Sequence, residues 1–539
     1  MNFTAVPIQP LLVLLLWAVP GGVGAYVLAV CIYRLTLHPY AKYPGPFLAK
    51  LTNAYSAYHA WKGDIHIDMH LCHEKYGSRV RYAPHRLLMN TNGALTDIYS
   101  FGSNVIKSRT YNAMVHRAPN TLTLIDKREH GRKRRIISQG LSQGALRLYE
   151  PAILRQIHSF CHHVGGAVRV RSPSPETRTS TNHWSKPQNL APWCNYLTFD
   201  IMSAVIFSAA YDAMGTPDYR YVLDAIQESN IRTSILFNAS EISYGRLDKW
   251  LFPTSIKARD AFIRFVNRVL HDQKTRQQST NIGPRDVFTS LLNAKDSVTN
   301  ESLSLAEIGA ESTTLIVAGS DTSSTALASV FFYLGHYPDA YATAIKEIRE
   351  TFATIDEIRS GAKLNSCVYL RACIDESLRM SPPAGSALWR EVGPRGAVVD
   401  GAWIPAGYDV GTGIYALHHN AAYFPKPFCF SPERWLEGHA GAEQVDLARS
   451  AFTPFSVGPR SCVGKGLALS ELTLTLATML WKYDFKLVGR LGEGSASLGP
   501  GRHRETEYQL FDHITAAKDG PLVQFHPAFR GESPGPALA

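Results

Sequence analysis

The first strongly patterned stretch of the chain is also its most apolar. No charged residue occurs from Ile8 to Tyr33. Leu11 to Trp17 and Val23 to Ile32 together supply about the 20 apolar residues that span a bilayer, which predicts one transmembrane helix. Pro20-Gly21-Gly22 is expected to kink that helix without ending it, because lipid forces backbone groups to bond within the segment. A cleaved signal peptide is the competing reading, disfavoured by the lack of Lys and Arg ahead of a long apolar run. Basic residues begin at Arg34, Lys42 and Lys50, and by the positive-inside rule they place the following chain in the cytoplasm. His38-Pro39 and Pro44-Gly45-Pro46 form a stiff hinge. The expected division is an anchor at 1–35, a Pro-rich hinge at 36–50, one large domain at 51–530 and a frayed, Gly/Pro-rich tail at 531–539.

Beyond the hinge, strand-like Arg79 to Ala83 and Arg86 to Asn90, joined around Pro84-His85, predict a small sheet. A basic helix follows Thr123, carrying Lys127-Arg128 and Arg132-Lys-Arg-Arg135; by itself such a run reads as a solvated face. Ser172 to Pro192 holds four prolines amid Ser and Thr and reads as a surface loop. Leu197 to about Lys274 is dominated by amphipathic helical patterns.

Ser304-x-x-Glu307 is a capping box that opens a long apolar-periodic helix ending before Pro338. Ala318-Gly319-Ser320-Asp321-Thr322-Ser323 lies inside it, and glycine with hydroxyl residues weakens the hydrogen-bond ladder, so a bulge or groove is expected there. Glu376 and Arg379 sit on an amphipathic helix whose apolar side is Leu370, Ile374 and Leu378 and which Pro382-Pro383 ends. On a surface helix their i,i+3 pairing contributes only about 0.2–0.5 kcal/mol. Val398 to Trp403 predicts a tight hairpin with Asp400-Gly401 as its turn. Phe511 to Phe525 predicts a second one, turning at Lys518-Asp519-Gly520. The whole reads as a mainly α protein with small β-sheets.

Composition narrows the class. Among 539 residues, 45% are hydrophobic and 19% charged, which suits a globular chain rather than a disordered one. The net charge of +10 raises nucleic acid as a partner, yet the basic residues are scattered and no nucleic-acid motif accompanies them. A membrane surface or an acidic redox partner fits better. Eight cysteines occur with no Cys-x-x-Cys, which supports neither a zinc site nor a disulfide framework and suits a reducing compartment. Three glycosylation tripeptides begin at Asn2, Asn238 and Asn300; on a cytosolic domain the latter two are inert.

One cysteine is set apart by its surroundings. Phe455-Ser-Val-Gly458-Pro-Arg460-Ser-Cys462-Val-Gly464 is a glycine-punctuated loop that runs straight into the helix-periodic stretch Leu467 to Leu480. A thiol has a pKa of roughly 8.5, and a helix N-terminus and a nearby cation both favour the thiolate that binds metal. Arg460 is the expected cation. Gly458 and Gly464 are expected to let the backbone turn tightly and approach a flat cofactor, leaving loop N–H groups for a ligated sulfur. Such a loop suits a haem iron held by one thiolate. The competing reading is a buried cysteine acting as a small hydrophobe.

That run matches Phe-x-x-Gly-x-Arg-x-Cys-x-Gly, and the chain thereby resembles the haem-thiolate monooxygenases, the cytochromes P-450. The resemblance covers roughly residues 40 to 530 and implies the family's triangular helical fold around haem b (iron protoporphyrin IX), with Cys462 as axial ligand of the iron. It implies further haem contacts from Phe455, Gly458, Arg460 and Gly464. His130-x-x-x-Arg134 and Arg390 stand where the family places haem propionate ligands. Ala318 to Thr322 resembles the oxygen-binding motif, with Asp321 and Thr322 in the acid and hydroxyl places of a proton relay. Glu376, Arg379 and Arg434 match the Glu-x-x-Arg network with its third member.

Electrons are then expected from NADPH through the flavins of a separate NADPH–cytochrome P-450 reductase, with cytochrome b5 as a second candidate donor. The expected reaction is hydroxylation, epoxidation or desaturation of an apolar small molecule by a single-pass protein of the endoplasmic reticulum membrane with a cytosolic catalytic domain. The style of the chain most resembles fungal enzymes of secondary metabolism. Other classes stay open at this point: a haem-thiolate isomerase or dehydratase that does not use O₂, a haem-binding sensor or carrier, and a membrane scaffold with no cofactor.

Overall fold

The computed structural model describes residues 8–115, 118–165, 184–279 and 286–528. The expected tail at 531–539 and most of the expected 172–192 loop lie outside these residues. The N-terminal helix Ile8–Thr36 runs unbroken through Pro20. From Trp17 to Thr36 it is long and apolar enough to cross a membrane, and none of it is buried against the rest of the chain. Leu190–Phe207 and Leu305–His336 have similar length and composition but are mostly buried, so they are core.

Leu305–His336 is the axis of the molecule. Leu190–Phe207 packs along it, and Val368–Met380, Lys465–Lys482 and the C-terminal strands also meet it. Its first turn carries the reciprocal capping box: Ser304 N–H donates to Glu307 Oε2 at 2.8 Å and Glu307 N–H to Ser304 Oγ at 3.3 Å. The expected bulge at Ala318–Ser323 is not present, and the helix stays continuous. The hydroxyls there take up spare carbonyl capacity instead, Ser324 and Thr325 both donating to Asp321 O. Gly319 serves close packing. A Cβ on it would lie 2.4 Å from Met202 Cε, so a larger residue here would make the Met202 side chain on Leu190–Phe207 shift. That neighbouring helix starts at Leu190 with Pro192 in its first turn, where a missing N–H costs nothing.

Twelve short strands among the described residues complete the fold. β1 (Arg79–Ala83) pairs antiparallel with β2 (Arg86–Met89), as the two strand-like runs joined around Pro84-His85 predict. β2 runs parallel to β8 (Asp409–Thr412), which pairs antiparallel with β5 (Arg390–Val392), and β3 (Val105–Lys107) closes this five-stranded sheet. β6 (Ala397–Val399) and β7 (Ala402–Ile404) form the predicted hairpin, with Asp400 (φ 48°) and Gly401 (φ 73°) in the left-handed region its turn demands.

The second predicted hairpin is corrected. β10 (Leu510–His513) and β11 (Thr515–Lys518) turn at Ile514, not at 518–520. After Gly520 the chain leaves for another sheet, where β12 (Leu522–Pro527) lies between β4 (Gln188–Asn189) and β9 (Tyr483–Leu487). Burial of Val523 and Phe525 against β9 decides this, since the alternating apolar face of β12 has no counterpart on β11.

Candidate functional site

The Cys462 loop is fixed by its backbone. Cys462 N–H donates to Phe455 O at 2.8 Å, folding the loop back on itself. Gly458 has φ +68°, and a Cβ there would stand 2.0 Å from Tyr99 O, so both conformation and space require glycine. Gly464 is a different case from the one expected. Its backbone is ordinary (φ −85°, ψ 4°), and it directly precedes the helix Lys465–Lys482.

Cys462 lies in a recess: its own surface is open, while protein surrounds it closely enough that burial raises the thiol. Opposing that rise are the N–H of Gly464, the Arg134 guanidinium, the N–H of Lys465 and the Lys465 ammonium. The helix N-terminus therefore favours the thiolate as anticipated. The cation differs: Arg134 and Lys465 act on the sulfur, whereas Arg460 donates to Leu124 O at 2.7 Å and Ile125 O at 2.9 Å. Phe455 is half-buried against the core, with the Lys465 ammonium 5.7 Å from its ring centre.

Arg460 belongs instead to a cluster of cations. His130 from the helix Lys127–Gly140 is pushed down to about 3, first by burial and then by Arg460, Lys107, Arg134 and Arg390. Buried Lys107 on β3 falls well below the usual lysine range for the same reasons, with Glu311 the opposing carboxylate. Arg390 is buried on β5 between the rings of Tyr99 and Tyr111 and donates to Leu388 O and Trp389 O at 3.1 Å. Arg134 donates to Ser461 O at 2.5 Å, next to the cysteine. Buried cations held mainly by carbonyls and rings form a basin that favours added anions.

Most of the second basic cluster on this helix is consumed internally, which corrects its reading as a solvated face, while Lys127 and Arg128 stay exposed. Arg132 and Lys133 pair with Glu307, and Arg135 with Asp296.

Thr322 and Asp321 are neighbours whose side chains part. Thr322 Oγ1 donates to Ala318 O at 2.7 Å. Asp321 is buried, and its Oδ2 accepts from Thr515 Oγ1 at 2.9 Å and from Asn230 Nδ2 at 3.3 Å. Burial raises the Asp321 carboxyl, and the Lys518 ammonium is the largest opposing influence.

Glu376, Arg379 and Arg434 do meet. Arg379 Nε and Nη2 donate to the two Glu376 oxygens at 2.8 Å each, and Arg434 Nε lies 3.4 Å from Oε1. All three are buried, so the weak surface-pair reading does not apply. Sequence reasoning missed the remaining partners: Ser431 N–H at 3.1 Å and Trp435 Nε1 at 3.0 Å from Glu376. Trp435 was within reach as the residue after Arg434. Lys107, Lys465 and Lys518 carried no such signal.

A mainly helical chain with a loop thiol at a helix N-terminus, beside a buried basin of cations, defines a class of thiolate-ligated cofactor proteins. The model of the family Cytochrome P-450 matches residues 42–492. The chain is 50% identical over 508 residues to cytochrome P-450 monooxygenase AKT7 of Alternaria alternata, covering 93% of this chain and 95% of that one. It is 47% identical to cytochrome P-450 monooxygenase poxM of Penicillium oxalicum, with 93% and 92% covered. It is 46% identical to cytochrome P-450 monooxygenase atnE of Emericella nidulans, with 95% and 96% covered.

The chain belongs to the cytochrome P-450 family. It is an oxidoreductase, a haem-dependent monooxygenase; members bind haem b and receive electrons from NADPH through a separate reductase. The residues present fit that group. An iron porphyrin offers one axial position for a thiolate and two propionates for cations, and the Cys462 recess and the adjoining basin supply both.

Proposed function

We propose that this protein oxidises an apolar small molecule by hydroxylation, epoxidation or desaturation, in fungal secondary metabolite biosynthesis, with electrons from an NADPH–cytochrome P-450 reductase. The observation that carries the reading is the Cys462 thiol, held between the N–H groups of Gly464 and Lys465 beside Arg134. The relatives' names, all cytochrome P-450 monooxygenases, support the reaction class. The apolar helix Trp17–Thr36 supports anchoring in the endoplasmic reticulum membrane with the remaining chain in the cytosol, where that reductase and cytochrome b5 would reach it.

When bound, a thiolate-ligated haem supplies O–O bond cleavage. The chain's own part is positioning and proton movement. Cys462 would hold the iron, with the loop N–H groups tempering the charge on its sulfur. His130, Arg134, Arg390 and Arg460 would hold the propionates, and Phe455 and Gly458 shape the Cys462 loop. Thr322, whose hydroxyl already bonds to Ala318 O, orders water on the side of the Leu305–His336 helix. Asp321 passes protons inward after its carboxyl releases Thr515 or Asn230.

The test is NADPH consumed, peroxide released and product formed in a reductase-reconstituted system, after a spectral screen of terpenoid, polyketide and indole compounds identifies a substrate. Thr322→Ala is expected to keep NADPH use while product falls and peroxide rises. Asp321→Asn is expected to slow turnover by about 10²–10⁴-fold where proton transfer limits the rate. Unchanged coupling in Thr322→Ala would make that threonine structural, and product formation without O₂ would favour an isomerase or dehydratase.

A further inference from the structure

Glu311, Thr314, Ala318 and Thr322 follow one another along the helix Leu305–His336 at the three- and four-residue spacing that puts side chains on one face. Ala318 on that face is exposed and Thr314 and Thr322 are half-buried, in a helix that is otherwise mostly buried. Glu311, at the N-terminal end of the face, is enclosed. An enclosed carboxylate is costly unless hydrogen-bond donors reach it.

Those donors come from one residue. Thr121 gives Glu311 Oε1 its backbone N–H at 2.7 Å and its hydroxyl at 2.9 Å. The residue before it is tied to the same face, Asn120 Nδ2 donating to Thr314 Oγ1 at 2.6 Å. Asn120 to Leu124 is a turn braced from within: Asn120 N–H donates to Thr123 Oγ1 at 3.0 Å, Thr123 N–H to Asn120 Oδ1 at 3.0 Å and Leu124 N–H to Asn120 O at 2.9 Å. On its other side cations take the carbonyls, Lys107 at Leu122 and Arg460 at Leu124. The braced turn is thus held to the central helix through Glu311 and Thr314.

We propose that Glu311 is a positioning residue that sets the length of molecule the site accepts: through Thr121 it locks the turn Asn120–Leu124 across the helix face that carries Thr322. From Thr314 to Thr322 the helix rises about 12 Å, and a molecule oxidised beside Thr322 has that run before the turn stops it. The length limit rests on the reading of Thr322 as part of the site; the lock itself does not. Burial raises the Glu311 carboxyl to about 7, against the opposing pull of Thr121 and Lys133. Hydrogen bonds to an ionised acceptor are the stronger, so the lock is firm above that pH and slackens below it. The groups facing Glu311 are Thr121 from the turn, Lys133 from Lys127–Gly140, Lys107 from β3 and Glu307 from its own helix.

The probe is a series of 1-alkylimidazoles of increasing chain length, titrated into the full-length, haem-loaded protein and read by the Soret shift that an imidazole nitrogen produces on haem. At about pH 8 wild type is expected to bind more tightly with each added carbon until the chain meets the turn, and more weakly beyond. Glu311→Ala and Thr121→Val are expected to raise the ratio of long-chain to short-chain affinity roughly tenfold, the worth of one hydrogen bond to a charged group. Thr121→Ser is expected to keep the wild-type ratio. Taking wild type down to about pH 6 should raise the ratio as well, protonation of the shared imidazole cancelling between chains, whereas Glu311→Gln should make the ratio independent of pH. A ratio left at the wild-type value by Glu311→Ala and Thr121→Val overturns the proposal, whatever happens to their thermal midpoints. Where those variants fail to load haem, the pH comparison decides, and a wild-type ratio constant with pH overturns it. No Soret shift with any imidazole would overturn the haem site itself, and the length limit with it.

Discussion

Arg379 reaches both oxygens of Glu376 at 2.8 Å, and both side chains are fully enclosed by protein. Arg379 also donates to His418 O and Pro427 O, tying the helix Val368–Met380 to the segment that carries Arg434. Arg379→Leu therefore strands the Glu376 carboxylate and leaves these carbonyls without their donor. The expected cost is about 3–5 kcal/mol, seen as little soluble, haem-loaded protein on expression. A wild-type yield and thermal midpoint would contradict the role of the pair.

Much of this architecture was legible from local pattern. The Ser304–Glu307 capping box, the Asp400-Gly401 turn, the strand-like runs joined around Pro84-His85 and the apolar face Leu370, Ile374 and Leu378 are short-range signals, and the structure contains all of them. The failures were decided at long range. Whether β11 pairs onward with β12 depends on β9, more than thirty residues upstream. That Arg134 rather than Arg460 acts on Cys462 depends on how the helix Lys127–Gly140 crosses the loop, which spacing within the loop cannot encode. The direction of the Asp321 carboxylate likewise comes from Thr515 and Asn230, both distant in sequence.

Glu471, on the helix Lys465–Lys482, is buried, and neither carboxyl oxygen makes a hydrogen bond among the described residues. Burial pushes its carboxyl up to about 8. A raised carboxyl contributes stability below its unfolded pKa and loses it as pH climbs to the folded value. Wild type should accordingly weaken relative to Glu471→Gln between about pH 5 and 8, by up to roughly 4 kcal/mol at ~1.4 kcal/mol per unit. Thermal midpoints of the two proteins across that range test this, and curves that stay parallel would show that Glu471 ionises normally.

Removing residues 1–35 is expected to weaken membrane attachment while leaving haem incorporation intact. The Trp17–Thr36 stretch is not buried against the domain, and the family model begins only at residue 42. Membrane flotation and the haem-to-protein absorbance ratio of the truncated protein check both halves. Failure to incorporate haem would mean that the anchor is part of the fold.

Cys462 is the proposed iron ligand, and the ferrous carbonyl spectrum reads that ligand directly. Burial raises its thiol too, but the Gly464 and Lys465 N–H groups and Arg134 oppose that rise, and its surface is open, whereas Cys161, Cys194 and Cys373 are buried with their thiols raised. The purified full-length protein, reduced under carbon monoxide, should show the red-shifted Soret band of a thiolate-ligated haem, and Cys462→Ala should lose it entirely. A thiolate-type band that persists in Cys462→Ala would contradict the central assignment.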